Sequence, residues 1–334
     1  MPKMTYAEAI GLTIREELLR NPRLLFMGQD VEFQYDEEFR RQIGPGRVRN
    51  TPISEAGFVG AGIGASLTGM QTIIELGCST FLYSCMDQVV NQAAKSRYMF
   101  GGQAHVPLVI RAPVLYGISA AAHHSDRPWG LFAQAPGLKI IVPTRPYDAR
   151  GLLRAALRDG NPVICFEDCT LRDQNGDVPD GDYVVPIGSA LVRREGTDMT
   201  VVAVAGGISH SLTAADILQD QGISLEVIDV RTVVPLDRRT ILQSVAKTGR
   251  LVVVDPAPRN CGIAAEVAAT VAEHAFDSLK VPIIRLVAPD VPIPFSQELE
   301  RLVYPTAEQI VAIARKYCAT PKPIRHETVR TAEG

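Results

Sequence analysis

Apolar residues along this chain gather into short runs, separated by longer stretches in which they recur at intervals of three and four. RLLFMG, TIIEL, VPLVIRAP, KIIVP and PVICFE are the runs of the first half, and their branched residues suit strands buried on both faces. Between them, TYAEAIGLTIREELLR, MDQVVNQAAKSRYMF and PYDARGLLRAALRDG carry helical spacing, the first opened by a threonine placed to cap it. This alternation predicts a parallel sheet covered by helices. From residue 168, DCTLRDQNGDVPDGDYVVP breaks the pattern with Gly, Pro, Asn and Asp, and reads as a connection between domains. The alternation then resumes with TVVAVAG, LEVIDV, RLVVVD and PIIRLV as strands and helices across 208–221, 238–247 and about 262–276. The predicted class is α/β, with two consecutive three-layer parallel-sheet domains over residues 1–185 and 186–318. Residues 319–334, ending in HETVRTAEG, lack apolar periodicity and read as a disordered tail.

Composition narrows the function classes. With 334 residues and 46% hydrophobic content the chain can bury a sizeable core. Its 34 basic and 37 acidic residues leave a net charge of -3 with no basic cluster, so no footprint for nucleic acid or an anionic membrane is expected. Arg111 interrupts the longest apolar candidate for a membrane span, and MPKMTYAEAIG lacks the apolar core of a signal peptide. A soluble, cytoplasmic protein is expected. The six cysteines, at 78, 85, 165, 169, 261 and 318, form no CxxC pair, which favours reduced core thiols over zinc or dithiol chemistry.

Three segments could carry chemistry. TPISEAGFVGAGIGASLTG sets one carboxylate, Glu55, ahead of a run of small residues that allow close approach of a backbone or a flat ligand. Within it, GAGIGA matches the dinucleotide pattern GxGxxG/A, and Glu75 mimics the acid that binds a ribose. That pattern needs a strand immediately upstream, and RVRNTPISEAGF offers a proline, polar residues and an acid there, so the glycines are expected to serve helix packing. In AAAHHSDRPWG, the adjacent His123 and His124 lack the HExxH spacing of a shared metal site; a loop histidine is instead an acid/base candidate. Ser125 and Asp126 make no convincing triad, because no GxSxG elbow accompanies them.

TPISEAGFVGAGIG, MDQVVNQAAKSRYMFGGQ, the His-Ser of AAHHSD, PGLKIIVPTRPYDARGLLRAALRDGNPVI, VVPLD and APDVPIPFS together resemble the β subunit of thiamine-diphosphate-dependent 2-oxo acid dehydrogenases. The likeness runs from about residue 4 to residue 317, and the C-terminal part is most similar to the pyruvate and acetoin branch. It implies a pyrimidine-binding domain followed by a transketolase C-terminal-type domain. The enzyme it implies decarboxylates pyruvate or cleaves acetoin and passes the acyl group to lipoamide on the acyltransferase core of a complex. An α subunit, in a heterotetramer of two α and two β chains, would hold Mg2+ and the diphosphate, since this sequence has no GDG followed by a paired Asn.

Residue by residue, the resemblance assigns Glu55 to a ring nitrogen of the aminopyrimidine and Phe81 to packing on that ring. His124 would lie at the reacting face and handle protons. Ala156, Asp159 and Asn161 match positions whose backbone oxygens hold K+ in some members. The chain also departs from the pattern. Gln29 stands where the family has an acid near the cofactor entrance, the loop after it is shortened, and Cys78 to Thr80 replace a more usual Phe-Ala-Asp run. A noncatalytic or specialised relative that still binds an α chain, and a nucleotide-binding module built on GAGIGA, are the alternatives.

Overall fold

The structure, a computed structural model, describes residues 2–318. The predicted tail at 319–334 lies outside the described residues. The strands of the first half are β1 (Lys3–Thr5), β2 (Leu24–Gly28), β3 (Val48–Asn50), β4 (Gln71–Glu75), β5 (Leu108–Val114), β6 (Lys139–Ile141), β7 (Val163–Asp168) and β8 (Asn175–Asp177). Those of the second are β9 (Leu191–Arg194), β10 (Met199–Ala203), β11 (Leu225–Asp229), β12 (Thr232–Val234), β13 (Leu251–Pro258) and β14 (Ile284–Ala288). A seven-stranded sheet has the order β12-β6-β7-β5-β4-β2-β3, and a five-stranded one the order β14-β13-β10-β11-β9. All neighbours in the large sheet are parallel except β12 against β6.

The apolar runs form these strands because each buries alternate residues in two different cores. Ile73 faces the helices Tyr6–Arg20 and Pro146–Leu157, while Ile74 faces the helix Glu55–Leu67. Val201 and Val252 likewise face one side of the small sheet, and Val202 and Val253 the other. The core holding Ile74, Val202 and Val253 is continuous between the two sheets, so they share an apolar layer. The N-terminal helix begins as its sequence predicts. Thr5 Oγ1 accepts the Glu8 N–H at 3.2 Å while a Glu8 carboxylate oxygen accepts the Thr5 N–H at 2.7 Å, which satisfies two otherwise orphaned donors.

Several elements depart from the sequence reading. A strand, β3, does stand upstream of the GAGIGA segment; pairing with β2 overrides its polar composition. The loop-like segment from residue 168 also contains a strand, since β8 pairs antiparallel with β1, and Arg154 donates to the carbonyls of Gly181 and Tyr183. MDQVVNQAAKSRYMF is helical but not one α-helix: Gln88–Ala93 is wound wider, with Ala94 N–H donating to Val89 O at 3.1 Å, and an α-turn follows at Ser96–Met99. β12, which follows the connection in sequence, joins the edge of the first sheet. Cys78, Cys85 and Cys165 are buried as expected of core thiols, but Cys261 is exposed. No described helix is long and apolar enough to cross a membrane.

Candidate active site

Three of the residues marked in the sequence converge at the C-terminal edge of the large sheet. Glu55 opens the helix that follows β3, Phe81 lies in the turn that follows β4, and His124 lies in the loop that follows β5. The connections that leave parallel strands at their C-terminal ends all emerge at the same edge of the sheet, where ligands of open α/β folds bind. Their convergence is a product of topology, since 69 positions separate Glu55 from His124 in the chain.

Glu55 is the first residue of a helix of 13 residues, where the unpaired N–H groups favour its negative charge. It is half-buried. The Ser84 hydroxyl lies 3.3 Å from Glu55 Oε2 and 2.8 Å from the Phe81 carbonyl oxygen, so its single proton serves one acceptor at a time. The carboxylate therefore keeps acceptor capacity free for a ligand. Its field is felt nearby: burial first, and the Glu55 charge second, push the Cys85 thiol up to about 12.

His124 is held in place through its backbone. Thr80 Oγ1 donates to His123 O at 2.7 Å, Cys78 Sγ to His124 O at 3.2 Å and Ser79 Oγ to Asp126 O at 2.8 Å. The Cys78–Thr80 run, a departure in sequence, thus fastens the histidine loop to the turn carrying Phe81. The Ser125 hydroxyl is committed to Leu115 O and Ala121 O at 3.0 and 2.7 Å and is buried, which removes it as a nucleophile. The Phe81 and His124 rings meet edge to face with centroids 5.5 Å apart, and His123 lies 4.1 Å from His124. Glu55, Ser84, Phe81 and His124 form one contiguous cluster: an acceptor, an aromatic surface and an imidazole. Sequence reasoning missed Ser84 and marked Cys78 to Thr80 only as a departure; the hydroxyl-rich string STFLYS was the available signal.

The other marked residues lie elsewhere. Gln29 is exposed and lines a cavity of about 490 Å³ bounded by Tyr6, Glu75, Arg111 and Glu167. Among the described residues, no hydrogen bond joins it to the Glu55 cluster. Glu75 is pushed up by burial against the opposing pull of Arg111, to which it is ion-paired; Arg111 also grips Glu167 through two bonds of 2.6 and 2.8 Å. That pairing removes Glu75 as a ribose ligand. GAGIGA lies inside the helix rather than at a strand-to-helix turn, and a Cβ on Gly62 would meet Ile74 Cδ1 at 2.8 Å, so this glycine serves packing. Asp159 is paired with Lys139 at 2.5 Å and Asn161 accepts from Arg97 at 3.2 Å, while Ala156 O accepts the Asp159 N–H at 3.3 Å. Lys139 and Arg97 thus engage the side chains of Asp159 and Asn161, whose backbone carbonyls are those assigned to K+. Among the described residues, no three His, Cys, Asp or Glu side chains gather as a metal site.

Comparison with known proteins identifies the fold and the family. Residues 2–171 match the family model of the transketolase pyrimidine binding domain and residues 188–310 that of the transketolase C-terminal domain. The chain is 41% identical to the β subunit of acetoin:2,6-dichlorophenolindophenol oxidoreductase of Bacillus subtilis (strain 168), covering 95% of this chain and 98% of that one. It is 40% identical to the pyruvate dehydrogenase E1 component β subunit of the same organism, covering 95% and 99%. A solved split-gene transketolase, described as an inactive β4 tetramer, shares the fold with a TM-score of 0.78 at 23% identity, covering 96% of this chain and 99% of that one. The chain belongs to the transketolase-like family of β subunits of thiamine-dependent 2-oxo acid and acetoin dehydrogenases.

Proposed function

We propose that this chain supplies the aminopyrimidine half of a thiamine diphosphate site and acts, with an α subunit, as the first component of a pyruvate or acetoin dehydrogenase. The observation that carries this reading is the Glu55–Ser84–Phe81–His124 cluster. A half-buried carboxylate with spare acceptor capacity, beside an aromatic ring, fits a flat heterocycle that must be held in one tautomer. When bound, the cofactor supplies the carbanion chemistry needed to break the bond next to a carbonyl.

Glu55 would hold a ring nitrogen of the aminopyrimidine by a hydrogen bond, and so would favour one tautomer by electrostatic preorganisation. Phe81 would offer its ring as an apolar surface against the pyrimidine. His124, whose ring touches Phe81, holds or delivers a proton as charge develops on the substrate oxygen. The α subunit supplies Mg2+ and the diphosphate site, giving two α and two β chains. The acyl group then leaves on lipoamide of an acyltransferase core, in the cytoplasm. Pyruvate and acetoin are both kept as substrates, because both kinds of relative match at similar identity. K+ would be held by the backbone carbonyls of Ala156, Asp159 and Asn161, next to side chains that engage Lys139 and Arg97.

The test is reconstitution. Mixed with its α subunit, Mg2+, thiamine diphosphate and pyruvate or acetoin, the chain is expected to reduce an artificial electron acceptor. Glu55→Ala should lower turnover by about 100-fold or more. Unchanged turnover would remove the cofactor assignment.

A further inference from the structure

The loop that carries His124 is under backbone strain, and a residue from the other end of the chain holds it. Gly117, Ser119 and Ala121 have φ of 75°, 58° and 65°, so two side-chain-bearing residues sit in the left-handed region within five positions. Such a conformation persists only when its surroundings impose it. Glu300, in the short helix Gln297–Arg301 of the second domain, is 1% exposed and points at this loop. One of its carboxylate oxygens accepts the Gly117 N–H at 2.7 Å and the other accepts the Ser119 N–H at 3.0 Å.

The carboxylate is itself oriented. The Tyr304 hydroxyl donates to Glu300 Oε1 at 3.1 Å. The Tyr304 ring packs against Tyr116 with centroids 4.6 Å apart, and the Arg127 guanidinium lies 4.1 and 4.2 Å from the two ring centres. Arg127 also donates to Pro256 O at 2.7 Å, which ties the far end of the loop to the second domain. Both ends of the segment 116–127 are thus gripped by residues that come after 250 in sequence.

We propose that Glu300 is a positioning residue for His124, a clamp that imposes the strained loop conformation and so fixes where the imidazole stands. The proposal rests on the reading of His124 given above. The argument is one of geometry and donor count. A carboxylate offers an acceptor to each of two converging N–H groups, whereas Glu300→Gln turns one of those acceptors into a donor that opposes an N–H. The loop should then relax out of its left-handed turns at 117–121 and tilt His124 against Phe81 about the Cys78–Thr80 fastening of residues 123–126, while Glu55 and Ser84, in other elements, stay where they are.

The experiment uses the complex of this chain with its α subunit. E300Q is expected to lower kcat roughly 10- to 100-fold, as misplacing a reacting group does, with substrate KM and the thiamine diphosphate half-saturation kept within about twofold. Its exposed neighbour, as E298Q, should leave kcat unchanged. The decisive arm is a double-mutant cycle. If Glu300 acts through His124, E300Q should cost less than about twofold further in an H124A background. Wild-type kcat for E300Q beside an impaired H124A overturns the proposal, and so does a loss of the same factor in both backgrounds. A wild-type rate for H124A alone instead overturns the reading of His124, and the proposal falls with it; that single variant separates the two failures. If E300Q does not assemble, Tyr304→Phe removes only the orienting hydroxyl and should lower kcat about two- to fivefold in the same pattern. An unchanged kcat there also overturns the proposal.

Discussion

At the scale of single residues, the balance of donors around Glu55 sets how well it can receive a ligand. Ser84 is its one hydrogen-bonding neighbour among the described residues, and that hydroxyl is shared with the Phe81 carbonyl. Ser84→Ala leaves the carboxylate without this donor but keeps the space and the fold. We expect the thiamine diphosphate half-saturation of the α-containing complex to rise roughly two- to tenfold, the worth of one bond to a charged group, with a smaller change in kcat. Titration of the apo-complex with cofactor reads this directly. Glu55 was legible in the sequence because an acid ahead of a small-residue run is unusual. Ser84 was not, because its relation to Glu55 comes from the turn Ser79–Cys85 lying against the start of another helix.

At the scale of elements, the helix Glu55–Leu67 must lie close to the sheet for Glu55 to stand at its edge. Gly62 is the contact point. Because a Cβ there would meet Ile74 Cδ1 at 2.8 Å, Gly62→Val should push the helix off β4 and destabilise the isolated chain by about 1–3 kcal/mol in denaturant unfolding. Gly64 is exposed, and a Cβ at that position would meet nothing within 4 Å, so Gly64→Ala should instead raise stability by up to about 1 kcal/mol through helix propensity. A pair of variants two residues apart with opposite signs distinguishes packing from propensity. The sequence showed the small-residue run but not which glycine faces the sheet.

At the scale of the whole molecule, the seam between the two sheets carries buried charge. The Asp229 carboxylate ends β11, accepts a hydrogen bond from Thr144 of the first domain, and lies 3.4 Å from Arg193. Nearby, Arg231 spans the seam to Asp148 at 3.1 Å. Burial raises the Asp229 pKa to about 6, against partial opposition from Thr144 and the arginines. A folded-state pKa above the unfolded one means the native state binds the proton more tightly. The stability this group contributes is therefore full below about pH 4 and lost as pH rises to about 6. Asp229→Asn cannot ionise, so its stability relative to wild type should climb across that window, by about 3 kcal/mol at most, and stay level above it. Denaturant midpoints between pH 4 and 7 would check this, and a flat difference would remove the assignment.

The two α/β units, their order and an acid at the head of the small-residue run were determined by the sequence itself, because apolar periodicity and residue identity are local properties. What the tertiary structure alone decided is relational. It brought β12 onto the edge of the first sheet, turned the Cys78–Thr80 run into a fastening for the histidine loop, and withdrew Glu75 from ligand binding by pairing it with Arg111. It also set Glu300 beneath a loop more than 170 residues earlier, at hydrogen-bond distance from Gly117 and Ser119. Such contacts leave no trace in spacing or composition. They depend on where parallel strands place the loops that follow them, and that is settled only when the whole sheet is paired.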